Sequence, residues 1–234
     1  MNDSKAPIFV LMDLDDTILD FHKAEEVAIK KTFRQLGAEP TDALIRRYSQ
    51  INQQQWERLE LGEIDRHQVL TGRFELLFEE LGMSLNGNEA QEIYEHLLSF
   101  GHWFMPGAEA LLEALHVKYK LYIVSNGTAA VQEGRLKSSG IGKYFEDIFI
   151  SEHIGYNKPA KEFFDLCFQR IPGFCRERAI VVGDSLTSDI RGGINAGLST
   201  CWYNPRALSP RADIPADYEI RNLSELPPLL EKLW

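Results

Sequence analysis

Three acidic residues, Asp13, Asp15 and Asp16, directly follow the apolar run Ile8-Phe9-Val10-Leu11-Met12, and Thr17 comes next. An apolar run with β-branched members that ends abruptly in carboxylates reads as a buried parallel strand whose carboxyl end opens onto a site. On an extended backbone Asp13 and Asp15, two apart, project to the same side. Two like charges so close destabilise each other unless a cation or a proton lies between them. Mg²⁺ is the natural occupant, a hard ion that takes carboxylate oxygens together with phosphate. The same residues also allow a plainer reading, a strand followed by an acidic turn that caps a helix. A calcium loop is excluded, because the glycine it needs at its sixth position is Ile18 here.

Two further strand ends carry polar groups. The run Leu121-Tyr122-Ile123-Val124 stops at Ser125-Asn126-Gly127, and Ala179-Ile180-Val181-Val182 stops at Gly183-Asp184-Ser185-Leu186-Thr187-Ser188-Asp189. Lys158 lies between them in the loop Gly155-Tyr156-Asn157-Lys158-Pro159. Taken singly, Ser125 could cap a helix, Lys158 could be a solvated loop lysine and Asp184 a turn residue. In an open parallel sheet, however, ligands bind outside the carboxyl ends of the strands near the switch in strand order, so these groups are expected to converge.

The elements that must position them follow from periodicity. From about Phe21 to Phe100 the pattern is helical throughout, with stripes at Ile29, Phe33 and Leu36, at Leu44, Tyr48 and Ile51, at Leu70, Phe74, Leu77, Phe78 and Leu81, and at Ala90, Ile93, Tyr94, Leu97 and Leu98. Breaks at Gly37 to Pro40, near Gly62 and at Gly82 to Gly87 separate four segments. From Pro106-Gly107 onward strand and helix alternate: helices over 108–116, 129–139 and around Phe163 to Cys167, strands over 147–151, 200–203 and 217–220, and a closing helix over 226–233. The expected fold is α/β, a Rossmann-like mainly parallel sheet with helices on both faces. Residues 1–19 and 101–234 form that core and residues 20–100 an inserted all-helical domain.

Composition narrows the class. A chain of 234 residues, 44% hydrophobic, can bury a sizeable core. A formal net charge of -10 argues against a nucleic-acid polymer or an anionic membrane surface as partner, so an anionic substrate must be met locally by a metal or a few placed cations. No apolar run approaches the roughly 20 residues of a membrane span, and MNDSKAP contains no long apolar segment, so a cytoplasmic setting is expected. Cys167, Cys175 and Cys201 are three in number without CxxC spacing, which suggests neither a disulfide framework nor a zinc site.

The ordered set Asp13-x-Asp15-x-Thr17, Ser125, Lys158-Pro159 and Gly183-Asp184-x-x-x-x-Asp189 resembles the four motifs of the haloacid dehalogenase superfamily of phosphohydrolases, and the helical insertion resembles its C1-type cap. Asp16 departs from the family pattern, in which many members carry glycine. The resemblance implies that Asp13 is the nucleophile and forms an aspartyl phosphate, and that Asp15 is the acid and base. It also implies Mg²⁺ held by Asp13, Asp184 and the backbone carbonyl of Asp15, with Asp189 supporting from behind. Ser125, the amides of Asn126 and Gly127, and Lys158 would bind phosphate, and Thr17 would orient. An acid at position 15 separates a phosphatase from the family's carbon-halogen hydrolases. The Asp-Leu-Asp-Asp-Thr-Ile opening, Ser-Asn-Gly and Gly-Asp-Ser-Leu-Thr-Ser-Asp resemble the bacterial pyrimidine 5'-nucleotidase subgroup, which implies substrates such as dUMP, UMP and dTMP. A sugar-phosphate phosphatase or phosphomutase of the same fold, and from another class a non-enzymatic phospho-receiver, are the alternatives. The expected partner is thus a small phosphate monoester, and the expected assembly a monomer or small homo-oligomer. Selectivity would reside in the cap, with Leu19 to His22 and Gly101 to Met105 as hinges and Phe21 and His22 as candidate substrate contacts.

Overall fold

The computed structural model describes residues 6–234. Six strands, β1 (Phe9–Met12), β2 (Lys120–Ser125), β3 (Asp147–Ile150), β4 (Ala179–Gly183), β5 (Ser199–Tyr203) and β6 (Tyr218–Ile220), form one parallel sheet in the order β3-β2-β1-β4-β5-β6. The first strand is therefore central. β2 and β3 build outward on one side and β4 to β6 on the other, so the strand order switches between β1 and β4. Register brings Met12 level with Ile123 on one side and Val182 on the other, which aligns the three polar strand ends.

The helices are α1 (Phe21–Gln35), α2 (Asp42–Glu60), α3 (Arg66–Glu80), α4 (Gly87–Leu98), α5 (Ala108–Leu115), α6 (Ala129–Ser139), α7 (Ser151–Ile154), α8 (Lys161–Arg170), α9 (Arg191–Ala196) and α10 (Leu226–Leu233). On one sheet face Phe9, Leu11, Tyr122, Val124, Phe149 and Val181 pack with Phe163, Phe164 and Cys167 of α8. The alternating residues Val10, Met12, Leu121, Ile123, Ile180 and Val182 are equally buried, so both faces are covered and the strands read as unbroken apolar runs.

The described residues divide into two compact units, one running up to Asp20 and over Phe104–Ala129 and Ser139–Trp234, the other comprising Phe21–Trp103 and Ala130–Ser138. The helical unit thus includes most of α6 in addition to the insertion after β1. Its core joins Ile29, Phe33, Tyr48, Phe74, Leu77, Tyr94 and Val131. Asp65 and Gln68 cap α3 reciprocally, each side chain accepting from the other's amide, and Asn86 caps α4. Helix α3 ends at Glu80, which leaves Leu81 outside the apolar stripe and 44% exposed. Polar side chains on all four of the inserted helices are buried together: Glu25 accepts from Ser49 and from Asn52 (2.7 Å), and Arg73 donates to Asn52 (2.8 Å) and Gln91 (2.7 Å). Phe21 packs against this core with the Arg135 guanidinium 5.8 Å from its ring centroid, while His22 is exposed.

One segment differs from the sequence expectation: Ser151 opens α7 instead of ending β3. After β4 the chain forms a π-helical turn over Leu186–Ile190 and then α9, which contains the Gly192-Gly193 pair. Those glycines are set by contact: a Cβ at Gly193 would lie 2.3 Å from Val181 Cγ1, and one at Gly192 2.6 Å from Phe164 Cε2. Only a helix without side chains there can lie so close to the sheet. Among the described residues no helix is long and apolar enough to cross a membrane.

Candidate active site

Asp13 continues β1 by one residue, its amide donating to Val182 O at 2.9 Å, so its carboxylate is carried past the end of the ladder. Asp184 leaves β4 beside it, and the Asp184 amide donates to the buried hydroxyl of Thr17 at 3.1 Å, tying the two loops together. Between Asp13 and Thr17 the chain turns tightly, with the amides of Ile18 and Leu19 both donating to Leu14 O. Asp15 and Asp16 stand half-exposed on this turn.

Lys158 is 1% exposed, and its ammonium donates to Asp13 Oδ1 (2.7 Å), Asp189 Oδ1 (2.6 Å) and Val124 O (2.7 Å). All three of its N–H groups are thereby engaged. Asp189 is fixed on its other oxygen by the Ser185 amide at 3.1 Å. Gly183 makes this packing possible, since a Cβ there would fall 2.2 Å from Asp189 Oδ2. The Asn126 side chain exchanges hydrogen bonds with the Lys158 backbone, Nδ2 donating to Lys158 O (2.9 Å) and Oδ1 accepting from Lys158 N (2.8 Å). Ser125 Oγ accepts from the Gly127 amide at 3.1 Å.

The structure therefore brings Asp13, Lys158, Asp184 and Asp189 into one cluster, with Ser125 and Asn126 beside Lys158. Carboxylate oxygens of Asp13, Asp184 and Asp189 lie within 4.8 Å of one another. Burial raises the Asp13 carboxyl to about 8; Lys158 pulls it down, and Asp189 and Asp15 push it up again. Asp184 is held well above the ordinary carboxylate range by burial, then by Asp13, Asp189 and Asp16, with Arg206 opposing. Burial works against the Lys158 ammonium, but Asp13 and Asp189 outweigh it and keep that pKa raised. Three carboxylates gathered around one ammonium leave surplus negative charge, and hard oxygen donors so spaced fit a divalent cation such as Mg²⁺.

Residues 9–197 match the haloacid dehalogenase-like hydrolase family. The chain belongs to that family. It is 42% identical over 217 residues to the HAD-hydrolase YfnB of Bacillus subtilis, covering 93% of this chain and 92% of YfnB. The magnesium-bound crystal structure of YfnB superposes with a TM-score of 0.92 at 41% identity, covering 96% of this chain and 98% of that one. Similarity extends to the pyrimidine 5'-nucleotidases PynA of Streptococcus pneumoniae, 37% identical over 225 residues (96% and 95% covered), and YjjG of Escherichia coli, 32% identical over 224 residues (96% and 98% covered). As a member of a hydrolase family the chain is an enzyme, which removes the phospho-receiver alternative.

Within this haloacid dehalogenase-like site the Asp16 departure has a backbone reason. Asp16 has φ 56°, the left-handed region, with its amide donating to Leu19 O at 2.7 Å. Glycine is strain-free there and Asp is among the side chains that tolerate it. Three features escaped the sequence reading. The Asn126 side chain acts as a staple for Lys158. Trp202 Nε1 donates to Asp184 O at 2.8 Å. Arg206 Nη2 lies 3.9 Å from Asp184 Oδ2, although the stretch from Pro205 to Pro215 carries no periodic signal at all.

Proposed function

We propose that this chain, a phosphoric monoester hydrolase, dephosphorylates nucleoside 5'-monophosphates, pyrimidine nucleotides such as dUMP, UMP and dTMP above all, in a Mg²⁺-dependent reaction in the cytoplasm. The observation that carries the chemistry is the Asp13 carboxylate at the end of β1, bonded to buried Lys158 and flanked by Asp184 from the adjoining strand. The pyrimidine preference rests on similarity to PynA and YjjG over nearly the whole chain.

In this reading an Asp13 oxygen attacks phosphorus, the bond from phosphorus to the nucleoside O5' breaks, and Asp15 gives its proton to that departing oxygen. Water then attacks the aspartyl phosphate, Asp15 takes its proton, and orthophosphate leaves with Asp13 restored. Asp13, Asp184 and the Asp15 carbonyl would hold Mg²⁺, whose charge when bound keeps Asp13 ionised and screens it from the phosphate dianion. Lys158 balances the charge of nucleophile and intermediate. Ser125 and the Asn126 and Gly127 amides receive phosphoryl oxygens, which requires the Gly127 amide to exchange its bond to Ser125 Oγ for one to substrate. Asp189, with one oxygen on Lys158 and the other on the Ser185 amide, supports from behind. The helical unit serves as the cap that reads the nucleoside.

The test is a panel of phosphate monoesters with Mg²⁺, comparing pyrimidine nucleotides, purine nucleotides and sugar phosphates, together with phosphoenzyme trapping. UMP and dUMP should have the highest kcat/KM, Asp13→Asn should form no phosphoenzyme, and Asp15→Asn should slow turnover most for poor leaving groups. A sugar phosphate at the head of the ranking would overturn the nucleotidase reading, and a phosphoryl group trapped on Asp15 would overturn the roles.

A further inference from the structure

We propose that Trp202 is a positioning residue for the metal ion: its indole N–H holds Asp184 in the direction from which that carboxylate can share a divalent cation with Asp13. The proposal rests on the metal-dependent phosphatase reading and adds a residue to it.

Asp184 follows Gly183, the last residue of β4, and lies beyond the pairing of β4 with β5. Side chains from two other elements fix its backbone instead. Its amide donates to Thr17 Oγ1 at 3.1 Å, and its carbonyl accepts from Trp202 Nε1 at 2.8 Å. Peptide groups are planar, so bonds to the two that flank one Cα fix both of its soft dihedrals and with them the direction of Cβ. Thr17 therefore sets one side of Asp184 and Trp202 the other. Register places Trp202 opposite Gly183, one residue before the carbonyl it holds. The indole is 2% exposed and packs with Ile190 and Ile214, and with the partly buried Leu186 and Ala216, so the donor stands on a rigid support.

That support matters because the carboxylates repel one another. Oxygens of Asp13, Asp184 and Asp189 lie within 4.8 Å of one another. The three N–H groups of Lys158 go to Asp13, Asp189 and Val124 O, so none is left for Asp184. Before a metal binds, the repulsion therefore bears on Asp184, whose side chain at 19% exposure has solvent to turn toward. Pinning both of its peptide groups keeps the carboxylate facing Asp13. Trp202 thus pre-forms half of the cation site from behind, without touching the ion.

The experiment measures Mg²⁺ affinity by calorimetry on chelator-stripped protein, urea midpoints, and p-nitrophenyl phosphate kinetics as Mg²⁺ is varied, for the wild type, Trp202→Phe and Ile214→Val. Ile214→Val thins the same apolar cluster but leaves the indole N–H in place. Trp202→Phe is expected to bind Mg²⁺ about tenfold more weakly, the scale on which the hydrogen-bond partners of a metal ligand act. The Mg²⁺ concentration for half-maximal rate should rise by the same factor, while kcat and KM at saturating Mg²⁺ stay within about twofold of wild type. Ile214→Val should lower the urea midpoint and leave Mg²⁺ affinity unchanged. Benzothienylalanine in place of Trp202 keeps the bicyclic ring and has sulfur where the N–H was, so it tests the donor alone and should weaken Mg²⁺ binding as Trp202→Phe does. Wild-type Mg²⁺ affinity in the benzothienylalanine protein would overturn the proposal, and so would an Ile214→Val protein as weak as Trp202→Phe, since packing alone would then govern the site. A kcat deficit that saturating Mg²⁺ does not restore would also overturn it. A wild type that binds no Mg²⁺ would overturn the metal reading itself, a failure visible before any variant is compared.

Discussion

Replacing Lys158 by Met removes the one buried ammonium that Asp13 and Asp189 share. The ammonium makes ion pairs at 2.7 and 2.6 Å and a third bond to Val124 O, so the substitution strands two carboxylates and a carbonyl in the interior. Breaking a buried ion pair from one side costs about 3–5 kcal/mol, and an orphaned carbonyl adds about 1–3 kcal/mol. The carboxylates can relieve part of this by taking up protons. Asp13 already titrates near 8 with Lys158 pulling it down, so without the lysine its pKa climbs further and it stays neutral over a wider range. A carboxyl raised in the fold contributes stability that is fully present below its unfolded value and lost as pH rises through the folded one. The deficit of Lys158→Met should therefore be near the lower figure, about 3 kcal/mol, at pH 6 and should grow toward pH 9. Either is a large share of a typical stability of about 5–15 kcal/mol. Urea unfolding of both proteins with chelator at pH 6 and pH 9 measures it, and phosphatase activity should be lost in parallel. A deficit under about 1 kcal/mol that does not change with pH would refute the charge bookkeeping, because no buried pair would then have been broken.

Two other substitutions probe the packing beneath this site and the buried polar cluster of the helical unit. Gly183→Ala forces a Cβ to within 2.2 Å of Asp189 Oδ2, so it should cost about 1–3 kcal/mol by overpacking and loosen the Lys158–Asp189 pair; an urea midpoint and a turnover number equal to wild type would contradict the contact. Glu25 is raised by burial, against the hydrogen bonds of Ser49 and Asn52 and then the charges of His22 and Arg73, so its contribution is present below about pH 4.5 and lost as pH rises through its folded value. Glu25→Gln should flatten the fall of stability as pH rises above about 4.5, and urea midpoints that keep the wild-type slope would count against it.

Much of the core was legible because parallel strands buried on both faces leave apolar runs with sharp polar ends. Those ends, at Asp13, Ser125 and Asp184, are aligned by register alone. Helices over Ala129–Ser139 and Leu226–Leu233 also fall where the periodicity places them. What was not legible depends on tertiary contact. Helix α9 had no periodic signal of its own, and its Gly192-Gly193 pair is fixed by Val181 and Phe164, which leave no room for side chains. Glu25, Asn52, Arg73 and Gln91 have the composition of solvent-facing helix positions, but they satisfy one another across four helices, and no single helix's periodicity can show that. Arg206 is invisible for a related reason: its place is set by Asn204 and by pairing between β5 and β6, not by anything in its own stretch.

Lys158, the cation bonded to Asp13, is suited to its task by its attachment. Lys158 is bonded three times, and Asn126 grips its backbone through both amide and carbonyl, so its position varies little and its charge acts as a fixed background. Such a charge lowers the cost of placing a nucleophile and a second carboxylate side by side, and it acts equally on ground state and intermediate. Transition-state selectivity must then come from groups that respond when the phosphate arrives. The Gly127 amide is bonded to a hydroxyl it can release, which makes it a responsive donor of the site. The cluster of acids explains why a responsive donor is needed beside a fixed cation: Lys158 opposes the rise that burial imposes on Asp13, and a donor that meets the arriving phosphate offsets the negative charge that would repel it.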